Sequence, residues 1–237
     1  MKLAPSIAER VEQAIVCLPK LAGRGVLVSG GFIVTAAHCI EWTGKGLMAL
    51  GDSTAFLQEI RTSTGETLLA STSAVEPVSD WAVLGAPDGQ SMPEAADAFE
   101  AFCEVTPALS LALNGMVLFR SIPAYVFTQN KGVVPVKATQ SQEEGHRLSM
   151  SGDQRIEGGT SGSPIVTRSG RLLGIVSNFS VVPGTQSGAG IFPRVSHALP
   201  LWLVRQMLPS RARRALDAVL PPGHLSPDML KKLRLRS

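Results

Sequence analysis

Three short segments carry the residue types needed to break an acyl bond. Thr35-Ala36-Ala37-His38-Cys39 ends an apolar run, and Ser79-Asp80-Trp81-Ala82-Val83-Leu84 sets an acid directly before another. Gly158-Gly159-Thr160-Ser161-Gly162-Ser163-Pro164-Ile165 places a serine in a glycine-rich turn. A serine hydroxyl is a weak nucleophile until an imidazole takes its proton. The imidazole in turn needs a carboxylate to hold its tautomer and offset its developing charge. Glycines beside the serine admit steep backbone angles, so that amide N–H groups can converge on a developing oxyanion. His38, Asp80 and Ser161 are therefore the candidate catalytic residues, 42 and 81 positions apart in that order. Chemistry of this kind needs no metal and no cofactor. His146, His197 and His224 lack metal-ligand spacing, and Asp52, Asp88, Asp97 and Asp153 follow turns or linker-like stretches. Ser163 is expected to be a turn residue that bonds backbone.

The elements that must position these residues read as short strands. Val11–Leu18, Gly25–Ser29, Phe32–Ala36, Gly46–Leu50, Phe56–Thr62, Glu66–Thr72 and Trp81–Leu84 are apolar or β-branched runs separated by glycine turns. Residues 86–103 lose β-formers and gain prolines and acids, which predicts a linker with room for a helical turn. Strand-like runs resume at Met116–Arg120, Ala124–Thr128, Val133–Ala138, Arg147–Ser149, Pro164–Thr167, Leu172–Ser177 and Gly190–Phe192. From Ser196 to Leu208 a four-residue spacing of Leu199, Leu203 and Met207 predicts one helix, with Trp202 packed beside them. The expected fold is all-β, two packed six-stranded antiparallel barrels followed by a helix and a basic helical tail. The boundaries are 11–90 for a first barrel with His and Asp, 91–104 for the linker, 105–195 for a second barrel with Ser, 196–208 for the closing helix and 209–237 for the tail.

Composition narrows the setting. Of 237 residues, 44% are hydrophobic and 17% charged, which excludes global disorder. The net charge of +3 is uneven. Residues 1–203 hold 14 Lys/Arg against 17 Asp/Glu, and residues 204–237 hold 8 against 2. An acidic body argues against a nucleic-acid-binding face, and the lack of a long uncharged apolar run argues against a spanning helix. Met1–Gln13 carries four charges and no apolar centre, so no secretory signal is expected and the expected location is cytoplasmic. Three widely spaced cysteines form neither a zinc pattern nor a disulfide framework.

Taken together and in order, TAAHC, SDWAVL and GTSGSP resemble the chymotrypsin-like (trypsin-like) serine peptidases, in the style of bacterial HtrA and glutamyl-endopeptidase members that need no zymogen cleavage. GRLLGIVSN at 170–178 and GIFPRV at 190–195 extend the resemblance to about residues 11–208. A GxSxG motif also marks the α/β-hydrolase elbow, but that fold runs Ser, acid, His, the reverse of the order here. The resemblance implies an endopeptidase with Ser161 as nucleophile, His38 as base and then acid, and Asp80 as the orienting acid. It implies an oxyanion hole from the amides of Gly159 and Ser161. Ser177 would lie beside the acid, and Ser177-Asn178-Phe179 would form the edge that pairs with a peptide substrate. Arg155, Phe179 and Gly190 would line the primary pocket. Arg155 would favour an acidic side chain there, or else pair with Asp153 or Glu157, or face solvent.

Two departures from the family pattern stand out. Many secreted relatives carry an Asp before the nucleophile to receive a freshly cut N-terminus, and this chain has Thr160, so no activation of that kind is expected. Relatives also bridge the cysteine after the catalytic His to an upstream partner. Ser29 is expected near that partner position, leaving Cys39 a packed thiol. Cys17 and Cys103 are expected to be strand-buried, the alternative being that they meet across the linker. The implied partner is a protein or peptide substrate, with the 209–237 tail either solvated or a docking element for a protein. The rival reading is a non-catalytic peptide-binding module or adaptor on the same fold.

Overall fold

A computed structural model describes residues 2–41, 56–113, 121–140, 146–152, 158–177, 190–209 and 213–214. The β-branched runs of the first half form β1 (Ile15–Leu18), β2 (Gly23–Val28), β3 (Phe32–Thr35), β4 (Leu57–Arg61), β5 (Thr67–Glu76) and β6 (Trp81–Gly85). Their order is β1-β2-β3-β6-β5-β4, all antiparallel, and the barrel closes where Cys17 of β1 meets Arg61 of β4. Val26, Leu27, Ile33, Val34, Ile60, Val83 and Leu84 are fully buried, so this barrel is packed with branched aliphatic side chains rather than aromatics. The second half forms β7 (Ile122–Thr128), β8 (Gly132–Gln140), β9 (Arg147–Ser151), β10 (Pro164–Thr167), β11 (Leu172–Ile175) and β12 (Gly190–Pro193). These run β11-β10-β7-β8-β9-β12, and the two ends of the sheet meet at the antiparallel bridge Gly174↔Arg194. The fold is thus two six-stranded antiparallel barrels, as the sequence predicts.

The barrels are stitched together along the chain that joins them. Leu109 forms a parallel bridge with Val28 at the end of β2, and Leu111 does the same with Leu172 of β11. Leu109 N–H donates to Leu27 C=O, Ser29 N–H to Leu109 C=O, and Leu172 N–H to Ser110 C=O. A single core cluster runs from the first barrel through Tyr125, Phe127 and Val166 of the second. A separate cluster around Val126, Val136, Leu148, Ile165 and Phe192 fills the second barrel.

Four helices differ from the sequence reading. Val11–Leu18 is not one strand: helix α1 (Pro5–Ala14) precedes β1. Pro5 suits the first helical turn, and Ile7, Val11 and Ala14 repeat at helical spacing, with Val11 and Ala14 buried. Arg10 Nη2 of this helix donates to Ser169 C=O at 3.1 Å, so α1 straps the β10–β11 hairpin of the far barrel. The stretch read as a linker is a 13-residue helix, α2 (Pro93–Val105), whose Ala96, Phe99 and Phe102 are buried. The closing helix is two pieces, α3 (Val195–Ala198) and α4 (Leu201–Gln206). Pro200 forces the break, because it lacks an N–H and holds the residue before it, Leu199, out of the helical region; Leu199 is extended, with ψ 147. Trp202 is 55% exposed rather than packed. The expected strands at 46–50 and 116–120, and the tail beyond Pro209 apart from 213–214, lie outside the described residues.

All three cysteines are free. Cys39 is buried as expected, but Cys17 faces outward from β1 rather than into the core. Burial pushes the Cys103 thiol up to about 11, which makes it a poor nucleophile. The position facing Cys39 is Gly23, not Ser29. A Cβ on Gly23 would stand 2.4 Å from Cys39 Cβ. Ser29 lies elsewhere, its hydroxyl directed at Leu109 C=O. A disulfide needs Cβ atoms about 3.5–4.5 Å apart. Close packing of a glycine on the thiol therefore occupies the place of a bridge.

Candidate active site

His38 leaves β3 in a single 3-10 turn, Ala37–Cys39, closed by Cys39 N–H donating to Ala36 C=O. Asp80 stands immediately before β6, whose pairing with β3 brings Ala82 opposite Thr35. That register sets the carboxylate beneath the imidazole. His38 Nδ1 lies 2.8 Å from Asp80 Oδ2 and 3.0 Å from Oδ1, and His38 N–H donates to Oδ1 at 3.0 Å. An ionised carboxylate only accepts, so Nδ1 carries a proton, and in the neutral imidazole Nε2 is then the acceptor. Ser177 Oγ–H donates to Asp80 Oδ2 at 2.5 Å from the end of β11. Asp80 takes a left-handed backbone, φ 54, tolerated by Asp better than by most residues.

Electrostatics follow from these contacts. Burial alone would raise the Asp80 carboxyl, but the hydrogen bonds from His38, Ser177 and the His38 amide outweigh it and hold the carboxyl below its ordinary value. The same pairing raises His38 from 6.5 to about 10, with the Asp80 hydrogen bond the largest cause, Cys39 adding to it and burial opposing. His38 remains partly open to solvent, while Asp80 is buried.

Ser161 sits in a turn whose shape depends on glycine. Gly159 and Gly162 both have φ 79, and a Cβ on Gly162 would fall 1.8 Å from Arg24 C=O. Gly162 N–H donates to Val176 C=O, Ser163 N–H to Thr160 C=O, and Val176 N–H to Ser163 C=O. Ser161 C=O accepts from Arg24 N–H, at 2.9 Å, in β2. Arg24 adjoins the Gly25↔Thr35 pair, and Thr35 Oγ1–H donates to Arg24 C=O at 2.6 Å. A closed circuit results. Ser161 is tied through β2 to the segment that ends in His38, and through Val176 to Ser177, which bonds the acid that bonds His38. The three candidate residues lie on one ring of hydrogen bonds and short main-chain links. No hydrogen bond joins Ser161 to His38 among the described residues, and the amide N–H groups of Gly159 and Ser161 have no acceptor there.

Of the other expected site residues, Ser177 is placed on Asp80 and Gly190 opens β12 opposite Met150. Arg155, Asn178 and Phe179 lie outside the described residues. Thr160 is buried, and its hydroxyl has no partner among the described residues. Ser163 bonds a side chain rather than backbone through its hydroxyl, accepting from Arg24 Nη1 at 3.2 Å. Gln129, between β7 and β8, lays its side-chain oxygen against Gly159, 2.4 Å from where a Cβ would stand. Neither Arg24 nor Gln129 lies near the three motifs in sequence, so only the strand pairing reveals them.

Structural comparison finds the same fold in several proteases. The Rv3671c protease from M. tuberculosis, in its active form, superposes with a TM-score of 0.53 at 14% identity, covering 83% of this chain and 85% of that one. A serine endoprotease from Yersinia pestis gives 0.54 at 18%, covering 95% and 70%. The HtrA-type protease AlgW with a tripeptide gives 0.52 at 21%, covering 84% and 62%. No curated protein matches in sequence. A family model for the trypsin-like peptidase domain matches residues 23–175, which span the His38, Asp80 and Ser161 segments. The chain belongs to the trypsin-like peptidase family and is a serine-type peptidase.

Proposed function

We propose that the protein is an endopeptidase in which Ser161, His38 and Asp80 act as a catalytic triad. The observation that carries this reading is the doubly bonded His38–Asp80 pair on a ring of hydrogen bonds that also holds the Ser161 turn. Asp80 keeps the proton on Nδ1, so Nε2 takes the Ser161 proton as Oγ attacks the scissile carbonyl carbon. The carbonyl oxygen becomes an oxyanion, received by the N–H groups of Gly159 and Ser161. The imidazolium then protonates the leaving amine, and an acyl-enzyme forms on Ser161. A water, deprotonated by His38, attacks the acyl carbon, and the proton returns to Ser161 Oγ as the acid product leaves. Ser177 fixes the rotamer of Asp80. The chain from Ser177 through Phe179 pairs with the substrate backbone, and Arg155 belongs to the primary pocket.

The wider reading is a regulated protease of a reducing, cytoplasmic compartment in a bacterium, with a narrow range of protein substrates and a docking role for residues 209–237. The three unpaired thiols support the compartment. The basic excess of the last 34 residues supports docking. A fluorophosphonate probe tests the chemistry. Labelling is expected in the wild type and absent in Ser161→Ala, with His38→Ala slowed by at least about 10³-fold. Equal labelling of wild type and Ser161→Ala contradicts the assignment. A peptide library tests Arg155: enrichment of Asp or Glu before the cut supports it, and enrichment of small apolar residues rejects it.

A further inference from the structure

Arg24 touches the nucleophile turn three times in succession. Its main-chain N–H donates to Ser161 C=O at 2.9 Å. Its own C=O lies so close to Gly162 that a Cβ there would stand 1.8 Å away. Its guanidinium Nη1 donates to Ser163 Oγ at 3.2 Å and to Phe127 C=O, in β7 beneath the turn, at 3.0 Å. The residue itself is part of β2 in the first barrel, one position from the Gly25↔Thr35 pair that leads to His38. Its carbonyl is held from the other side by Thr35 Oγ1–H. One half-buried side chain therefore spans the division between the barrel that carries the base and the barrel that carries the serine.

A guanidinium suits this place for two reasons. It is planar and always charged, so its donors are fixed in direction, whereas an ammonium offers a point charge on a flexible stem. Hydrogen bonds from a charged donor are also about twice as strong as neutral ones. Ser163 is the side-chain acceptor the guanidinium needs, so the pair makes sense of a second serine in the GTSGSP turn.

We propose that Arg24 is a positioning residue for the peptidase reaction. Through Ser163, Phe127 and the Ser161 carbonyl, it sets the angle at which the Ser161 turn faces His38. The proposal rests on the reading of Ser161 as nucleophile. It differs from a merely structural clamp in one respect: a clamp lost would lower folding stability or the active fraction, whereas a mis-set turn lowers the rate of the chemical step in molecules that remain folded.

The test uses the full chain as wild type, Arg24→Met, Arg24→Lys, Ser163→Gly and the Arg24→Met/Ser163→Gly double variant. Each is titrated with the fluorophosphonate for active fraction. kcat and KM are measured on the best library peptide, and melting midpoints are recorded. Loss of charge-assisted hydrogen bonds predicts a fall of about 10–100-fold in kcat and in labelling rate for Arg24→Met, with KM within about twofold. Arg24→Lys recovers part of that loss. Ser163→Gly loses a few-fold, roughly, and the double variant is no slower than Arg24→Met. Wild-type kcat in Arg24→Met, a loss confined to KM, or single effects that multiply in the double variant would overturn the proposal. Should Arg24→Met fail to fold, Arg24→Lys and Ser163→Gly decide. Lower kcat at an unchanged melting midpoint supports positioning, and wild-type kcat in both rejects it. A wild type that never labels overturns the nucleophile assignment and this proposal with it. A labelled wild type with unaffected variants overturns this proposal alone.

Discussion

On the first-barrel side of the site, Asp80 accepts from His38 Nδ1, His38 N–H and Ser177 Oγ, and is 5% exposed. On the second-barrel side, the amides of Gly159 and Ser161 have no acceptor among the described residues, and the buried Thr160 hydroxyl has no partner. The acid is over-determined, and the serine turn keeps donors in reserve. A buried carboxylate is costly unless bonded, so its partners must be present before substrate arrives. In the proposed reaction the amides of Gly159 and Ser161 are oxyanion donors and have the opposite requirement, since a partner in the resting state would have to be displaced in the transition state. The contrast between the halves is thus a contrast between holding a charge and waiting for one.

Breaking the satisfied half should produce the largest effect. Asp80→Asn removes the acceptor that fixes the tautomer, and kcat is expected to fall by roughly 10⁴-fold with the fold retained. The ion pair also makes stability depend on pH. The His38 contribution is complete below 6.5 and is lost as pH rises through about 10. The Asp80 contribution is present above 3.8 and is lost as pH falls through its depressed folded value. The difference in melting midpoint between wild type and Asp80→Asn should therefore be greatest between pH 3.8 and 6.5 and narrow on both sides. Catalysis, which needs neutral His38, should favour the alkaline side.

Gly162→Ala puts a methyl group where Arg24 C=O stands and strains a left-handed backbone, at a cost of about 3 kcal/mol or more in urea unfolding. Ser177→Ala removes one of three donors to Asp80, and kcat should drop by about 10-fold, since bonds to charged groups exceed 1 kcal/mol. The smallest effect sharpens the comparison from the other side. Thr160→Val replaces a hydroxyl without a partner among the described residues by a methyl of similar shape, so stability should stay equal or rise by about 1 kcal/mol. A loss of more than that would mean the hydroxyl is satisfied in solution.

The proposed triad of His38, Asp80 and Ser161 was legible as a candidate because each residue sits in its own short motif at the end or start of an apolar strand. The barrels were legible from β-branched runs and glycine turns. The misreadings come from places where two periodicities overlap or where the partner is set by tertiary register. Val11–Leu18 holds both the last turn of α1 and all of β1, so an apolar run there fits either. Residues 93–105 lack β-formers because they are helical, and Ala96, Phe99 and Phe102 at 3-residue spacing carried that signal. Gly23 faces Cys39 only because β2 and β3 pair Gly25 with Thr35, a register that a count from Ser29 misses. The Arg24–Ser163 bond joins residues 139 positions apart across two barrels, and nothing local announces it.

The measurement that bears most directly on the triad is the pH dependence of fluorophosphonate labelling, with the modified residue mapped by mass spectrometry, in wild type and Asp80→Asn. A triad built on the His38–Asp80 bond predicts label on Ser161 alone. The rate should rise with a midpoint above 6.5 in the wild type. In Asp80→Asn, the rate should be roughly 10⁴-fold lower with the midpoint shifted down. Label on another residue, or equal rates and midpoints in the two proteins, would contradict it.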